Sequence, residues 1–370
     1  MPEFRAAADD DRTRQAGRMP PPDGRMRRVA FVEVELLTKH FLAQRPSLFG
    51  PPTGMVRAVD GVSFTLNRGE TLGLVGESGC GKSTVGRMLV GLLRPTSGSI
   101  RYDGVDLASA GRAVRKTTLR QLQIVFQDPF SSLDPRMRVG DIIGEPLIIQ
   151  RIGTRAERRA RVAGMLNLVG LDKDSLDRFP HAFSGGQRQR IGIARALILS
   201  PSFIVADEPV SALDVSVQAQ VINLLRDLQR QMSLSYLFIS HNLSVVKHIS
   251  DRVAVMYLGR IVEIGTTRSV FTTPRHPYTQ ALLAAIPSAR PGAPHARPPQ
   301  GEIPSPFAPP SGCHFYPRCP VAIDECRRTA PALLPISNAQ QVACHLAAAS
   351  AASSVVELHR RKSTHEDLTR

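Results

Sequence analysis

Apolar and polar positions change period several times along the chain, and each change marks an element. From Phe31 the run FVEVEL alternates apolar with polar side chains, the period-two pattern of a strand with one wet face. SFTL at 63–66 predicts a second strand, and TLGLV at 71–75 is continuous enough to predict one covered on both faces. QLQIVF (121–126), SFIVAD (202–207), SYLFIS (235–240) and RVAVMYL (252–258) continue the series. Helical spacings lie between them. Val217, Val221, Leu224, Leu225, Leu228 and Met232 are separated by 4, 3, 1, 3 and 4 positions, so they line one helix face. Strands alternating with helices predict an α/β fold around a largely parallel core sheet.

The periodicity lapses in four places. Residues 1–29 are polar, aperiodic and rich in Pro, Gly and Arg, which predicts a disordered arm. Residues 44–56 carry three prolines and two glycines and read as a loop. Residues 287–310 hold nine prolines in 24 positions, the composition of an extended connector. The end of the chain is Ala/Ser-rich and then charged. The expected division is therefore an arm (1–29), a large domain (30–286), a Pro-rich connector with a small Cys-containing module (287–346) and a flexible tail (347–370).

Composition narrows the class. Of 370 residues, 47 are Lys or Arg and 32 are Asp or Glu, a net charge of +15, and 42% are hydrophobic. These are globular proportions. No run of about 18 uncharged apolar residues is present to span a bilayer, and the first residues lack the apolar core of a secretory signal. A cytosolic protein, or one on the cytosolic face of a membrane, is expected. The densest basic run, Arg151 to Arg161, falls in a helix-like segment with few aromatics, so it reads as a solvated face and no nucleic-acid partner is expected.

The chemistry starts at residue 76. Gly76-Glu77-Ser78-Gly79-Cys80-Gly81-Lys82-Ser83, followed by Thr84, fits the phosphate-cradling pattern G-x-x-x-x-G-K-[ST] between the TLGLV strand and a helix-like segment. The glycines let consecutive N–H groups turn toward phosphate oxygens, and the helix adds its positive end. Lys82 is the charge for the β- and γ-phosphates and Ser83 a hydroxyl for Mg²⁺. Downstream, FIVADE ends an apolar strand in two acids. Asp207 is expected to share the Mg²⁺ shell, and Glu208 to act as general base on the attacking water.

Phe183-Ser184-Gly185-Gly186-Gln187-Arg188 then opens a helical stretch just before the acidic strand. With P-loop, SGGQ and apolar-DE in this order, residues 31 to about 285 resemble the ABC (ATP-binding cassette) ATPases. The resemblance implies a P-loop NTPase fold of ABC type: a mixed core sheet with flanking helices, a helical signature subdomain and an antiparallel β subdomain. It also implies roles for single positions. Gln127 resembles the Q-loop glutamine, sensing Mg²⁺ and water and coupling to the membrane partner. Ser211-Ala212-Leu213-Asp214 resembles the D-loop, and His241 the switch histidine that contacts the γ-phosphate. Here Asn242 follows that histidine where the family more often has Asp. Phe41 resembles the aromatic that stacks on adenine. In such ATPases two cassettes pair head to tail, so Ser184, Gly185, Gly186 and Gln187 would complete the partner's ATP site.

HPYTQALL (276–283), GEIPSP (301–306) and the cysteines after them resemble the C-terminal extension of oligopeptide/dipeptide importer ATPases, nearest the second of their two paired ATPase subunits. That resemblance implies ATP-driven uptake of short peptides, with three kinds of partner: a second ATPase subunit (copy or paralogue), two transmembrane permeases and an extracytoplasmic substrate-binding protein. It places the chain peripherally on the cytoplasmic face of the cell membrane. Other solutes, such as nickel chelates, and a soluble ABC ATPase acting on nucleic acid or ribosomes are the alternatives. Cys313, Cys319, Cys326 and Cys344 lack the close pairs usual for structural zinc. Their wider spacing suits a [4Fe–4S] cluster, and the resemblance implies the same, with zinc or no metal as the other readings. Cys80 reads as a small residue that fits the P-loop.

Overall fold

The computed structural model describes residues 30–42, 54–128, 132–286 and 301–347. The expected arm, the stretch 43–53 with Phe49, the first half of the Pro-rich connector and the tail beyond Ala347 lie outside the described residues.

The chain opens with two long antiparallel strands, β1 (Val32–Leu42) and β2 (Met55–Leu66). The alternation that predicts β1 holds for the buried Val32 and Val34, then reverses. A bulge follows, Leu36 turns out to solvent at φ 48°, and the buried position passes to Leu37. The buried strand β3 (Thr71–Val75) leads through the Gly-rich loop into helix α1 (Lys82–Leu89). Strands β4 (Ser97–Tyr102) and β5 (Val105–Asp106) return to the first pair, giving an antiparallel sheet of order β2-β1-β4-β5.

Helix α2 (Arg112–Arg120) and strand β6 (Leu122–Val125) follow, then a helical layer of α3 (Val139–Ile149), α4 (Arg155–Leu168) and α5 (Gly185–Leu197). Ile142, Ile143 and Leu147 of α3 join Val162 and Leu166 of α4 and Ile191 of α5 in one apolar cluster. The rest of the α/β core comprises β7 (Phe203–Asp207), α6 (Val215–Met232), β8 (Ser235–Ile239), α7 (Leu243–Ile249) and β9 (Arg252–Tyr257). Strand β10 (Arg260–Thr266) turns back antiparallel, and α8 (Thr267–Thr272) and α9 (Pro277–Ala284) close this part.

The described C-terminal residues contribute a one-turn helix at Tyr316–Arg318, helix α10 (Asp324–Arg328) and the hairpin β11 (Leu334–Ser337) and β12 (Gln340–Val342). That hairpin does not stand apart: β12 pairs with β10, so the main sheet runs β11-β12-β10-β9-β3-β8-β7-β6. Five of these strands, β9-β3-β8-β7-β6, are parallel, with the antiparallel remainder at one edge. The α/β fold with a mixed core sheet, antiparallel β subdomain and helical subdomain is the architecture expected.

Glu263 sits in the middle of β10 with no exposed surface, although a carboxylate there breaks the apolar run. The backbone N–H groups of Arg275 and His276 donate to it at 2.8 and 2.9 Å, and Gln340 of β12 donates its side-chain amide. Its solvation is replaced by donors from two later segments, which is what makes burial of such a group tolerable.

Candidate active site

Every predicted nucleotide residue on the P-loop lies at the C-terminal end of β3, where parallel α/β sheets place their ligand crevice. Gly76 (φ 153°) and Gly81 (φ 106°) use backbone that side chains rarely adopt, and a Cβ at either would collide with a carbonyl oxygen, Met256 or Ala58 respectively. Gly81 is also the N-cap of α1 and supplies no capping side chain, so the first N–H groups of the helix remain available to an anion. Lys82 is buried and folds back over the loop. Its Nζ donates to the carbonyls of Gly76 and Glu77, each at 2.9 Å, and lies 3.7 Å from Cys80 Sγ. Cys80 is a buried free thiol with its pKa raised by that burial, against the opposing pull of Lys82.

The acidic strand end meets this loop from β7. Ser83 Oγ donates to Asp207 Oδ1 at 2.8 Å, and burial raises the Asp207 pKa. One residue on, Glu208 turns into left-handed backbone (φ 48°), which separates its side chain from that of Asp207. Gln127, just past β6, donates Nε2 to Glu208 Oε2 at 2.8 Å, and His241 Nδ1 lies 3.3 Å from Glu208 Oε1. Two residues predicted from separate motifs thus converge on the carboxylate predicted from a third. Asn242, where Asp is commoner, caps α7: its side-chain oxygen accepts from the N–H groups of Ser244 and Val245. The substitution keeps the capping function.

Ser184 is the N-cap of α5. Its Oγ accepts from Gln187 N–H and the Gln187 side chain accepts from Ser184 N–H, a reciprocal capping box. A Cβ on Gly186 would strike Val217 of α6, so this glycine permits close helix packing. Ser211 Oγ donates to the Glu208 carbonyl at 3.1 Å, which ties the predicted D-loop to the carboxylate turn, and Leu213 packs near Gly185. Asp214 is the N-cap of α6. Among the described residues no hydrogen bond or ion pair joins Ser184–Gln187 to the P-loop of the same chain. Phe41 stands 39% exposed near the end of β1, with Lys39 Nζ 5.2 Å from its ring centre.

Residues 59–211 match the family model for the ABC transporter, and residues 262–326 match the C-terminal region of the oligopeptide/dipeptide transporter. A probable peptide ABC transporter ATP-binding protein, y4tS of Sinorhizobium fredii, is 50% identical over 88% of this chain and 92% of its own length. The oligopeptide transport ATP-binding protein AppF of Bacillus subtilis is 52% identical over 83% of this chain and 95% of its own. The chain belongs to the ABC transporter family. A solved ATP-binding cassette of that family, MJ0796 as a dimer in a post-hydrolysis state bound to ADP and Pi, superposes with a TM-score of 0.56 at 26% identity, covering 64% of this chain and 99% of that one. Like other ABC ATPases, this chain hydrolyses ATP. Among the described residues no helix is long and apolar enough to cross a membrane.

The cysteine module of this ABC ATPase departs from expectation. Cys313, Cys319, Cys326 and Cys344 are all free thiols, and Cys313 N–H donates to the Cys326 carbonyl at 2.8 Å. Burial pushes the Cys313 thiol up to about 11 and raises that of Cys319. Among the described residues no three His, Cys, Asp or Glu side chains form a group that could hold a metal ion. The residues as placed do not fit the expected [4Fe–4S] cluster, and no chemistry here is derived from one. What packs the module onto the core is Phe315, buried against Tyr257, Tyr278 and His276.

Sequence reasoning missed two side chains that reach the P-loop. Tyr278 Oη accepts from Glu77 N–H at 2.9 Å, and Arg318 clasps both Glu77 carboxylate oxygens at 2.8 and 3.0 Å. Tyr278 sits in the HPYTQ motif, the one sequence signal that marked it. Arg318 carried none.

Proposed function

We propose that this chain is the ATP-binding and ATP-hydrolysing subunit of a membrane importer for di- and oligopeptides, acting on the cytoplasmic face of the membrane. The observation that carries the mechanism is the convergence of Gln127 and His241 on Glu208, beside the Ser83–Asp207 contact at the mouth of the P-loop. Lys82 keeps the Glu77 carbonyl with one of its three N–H donors and turns the others to the β- and γ-phosphate oxygens, and the N–H groups of Gly79 through Thr84 line the phosphate chain. Ser83, Asp207 and Gln127 offer the hard oxygen donors that Mg²⁺ prefers. When bound, that ion neutralises charge on the transferring phosphate.

Glu208 accepts the proton of the attacking water as its oxygen bonds to the γ-phosphorus and the β–γ bridge oxygen leaves with ADP. Gln127 and His241 hold that carboxylate in place, and His241, 58% exposed at its side chain, is free to swing toward the γ-phosphate. Phe41 stacks on the adenine. Ser184, Gly185, Gly186 and Gln187 of one subunit close the site of the other across the D-loop residues Ser211–Asp214, so ATP joins two cassettes until hydrolysis weakens the contact. The partner cassette is a copy or a paralogue. Two transmembrane permeases and an extracytoplasmic binding protein complete the importer, and the difference between the ATP and ADP states moves them. Support for the peptide cargo comes from the match to the oligopeptide/dipeptide transporter C-terminal region and the names of the relatives.

Glu208→Gln keeps the shape of the side chain and one acceptor oxygen for Gln127 and removes the base. ATP turnover is expected to fall by about 100-fold or more while an ATP-bound dimer accumulates on size exclusion. Turnover at the normal rate excludes Glu208 as the base. The cargo is read by adding short peptides, and nickel chelates as the contrast, with the binding protein to vesicles holding the assembled importer. Stimulation of ATP turnover by chelates alone would displace peptides from this reading.

A further inference from the structure

Glu77 is the second residue of the P-loop, and it is gripped at both ends by side chains from much later in the chain. Tyr278 Oη takes its N–H at 2.9 Å, and Arg318 takes both carboxylate oxygens, with a further contact from Arg318 to Tyr257 Oη at 3.4 Å. The third polar group of Glu77, its carbonyl, accepts from Lys82 Nζ at 2.9 Å. Arg318 lies in the one-turn helix between Cys313 and Cys319, and Phe315 of the same turn is locked under Tyr257 and Tyr278.

Burial makes this grip informative. Arg318 is only 9% exposed, and burying a guanidinium is costly unless a carboxylate meets it in good geometry. Glu77 meets it bidentately, the arrangement for which arginine is suited. The Glu77 hydrogen bonds, the largest influence on that guanidinium, hold its pKa above the ordinary value. A carboxylate two residues from the phosphate-binding glycines is otherwise a liability, because it opposes the charge of a triphosphate. Arg318 neutralises that charge and turns it away from the loop.

We propose that Arg318 and Tyr278 are positioning residues for the phosphate-binding lysine: by fixing Glu77 at its N–H and its carboxylate they hold the carbonyl that orients Lys82, so the cysteine module sets the ATP affinity of the cassette. This rests on the reading of the P-loop as the ATP site. The module then contributes to nucleotide binding without touching nucleotide.

The test is steady-state ATP turnover and ATP titration with the full chain. Arg318→Met is expected to raise KM and Kd for ATP about 3- to 10-fold with kcat within about twofold, since it removes a charge-assisted contact that acts through binding. Arg318→Lys restores part of the loss, because one ammonium replaces a two-pronged fork. Adding Glu77→Gln to Arg318→Met recovers affinity by removing the unpaired carboxylate. A merely structural role lowers the active fraction, so that kcat falls at unchanged KM, and that outcome overturns the proposal. So does a folded Arg318→Met whose KM stays within about twofold of the parent. Should Arg318→Met not fold, Tyr278→Phe removes only the acceptor for Glu77 N–H. It is expected to raise KM about 2- to 5-fold, and an unchanged KM counts against the clamp. Lys82→Ala separates the two readings. If it still binds ATP normally, the ATP site is wrong; if it loses ATP while the clamp variants do not, only the clamp is wrong.

Discussion

Two helix N-termini in this protein bear Gly-rich nucleotide motifs, and they are built in opposite ways. Helix α1 begins at Gly81 with no capping side chain and with Lys82 folded into the loop, whereas α5 begins at Ser184 with both halves of a capping box made. The first leaves its N–H groups unpaired and keeps a mobile cation ready, as a site that swallows a phosphate chain must. The second pairs the N–H groups of Ser184 and Gln187 through its own side chains, as a surface that approaches a phosphate from outside can.

The largest expected effect breaks the uncapped end. Gly81→Ala forces a side chain into left-handed backbone and against the Ala58 carbonyl. Backbone strain of this kind costs about 1–3 kcal/mol, so ATP should bind about tenfold more weakly or worse, read by titration. Binding at parental affinity would mean that the loop does not need this backbone.

The capped end is tested against a twin. Thr154 and Glu157 form the same capping box at α4, far from any nucleotide motif. Ser184→Ala and Thr154→Ala should each cost about 1 kcal/mol of stability in a denaturant titration. Only Ser184→Ala should lower ATP turnover, by about tenfold or more, as follows from its proposed place in the partner's ATP site, which Thr154 does not share. Equal turnover in the two variants would reduce the signature serine to an ordinary cap.

The last test concerns the support beneath the uncapped end. His276 Nδ1 accepts from Tyr278 N–H, and burial lowers the His276 pKa to about 3. An imidazole held neutral stabilises the fold fully above its unfolded value near 6.5. That stabilisation is lost as pH falls from there toward about 3, since the unfolded chain takes up the proton first, with a slope of at most about 1.4 kcal/mol per pH unit. Urea midpoints measured across that window should fall less steeply in His276→Asn, which keeps an acceptor but cannot titrate. Identical slopes would show that the imidazole is not the group responsible.

The candidate nucleotide motifs were legible because they are short and contiguous: Gly76–Thr84, Ser184–Gln187, Asp207 and Glu208 each read locally, carried by β3, α5 and β7. Gln127 and His241 needed the family resemblance, since a lone Gln or His after a strand carries no signal of its own. Strand β10 was not read because Glu263 interrupts its apolar pattern, and the donors that make Glu263 tolerable come from Arg275, His276 and Gln340. Strand β2 is far longer than SFTL, its earlier half hidden by Asp60 and Gly61. The cysteine quartet is the opposite case. Spacing and the family resemblance suggested a ligand set, whereas in the fold only Cys326 of the four is buried and the described residues form no group that could hold a metal ion. The Arg318–Glu77 contact bridges 241 positions, a distance over which no periodicity speaks.

The hairpin β11–β12 has one more effect. By pairing with Glu263, Ile264 and Gly265 it covers the ladder of β10 that would otherwise end the main sheet. A chain shortened before this hairpin would show bare amides and carbonyls along an apolar strand, a template for stacking against its own kind. Solubility of the cassette is thereby entrusted to this hairpin.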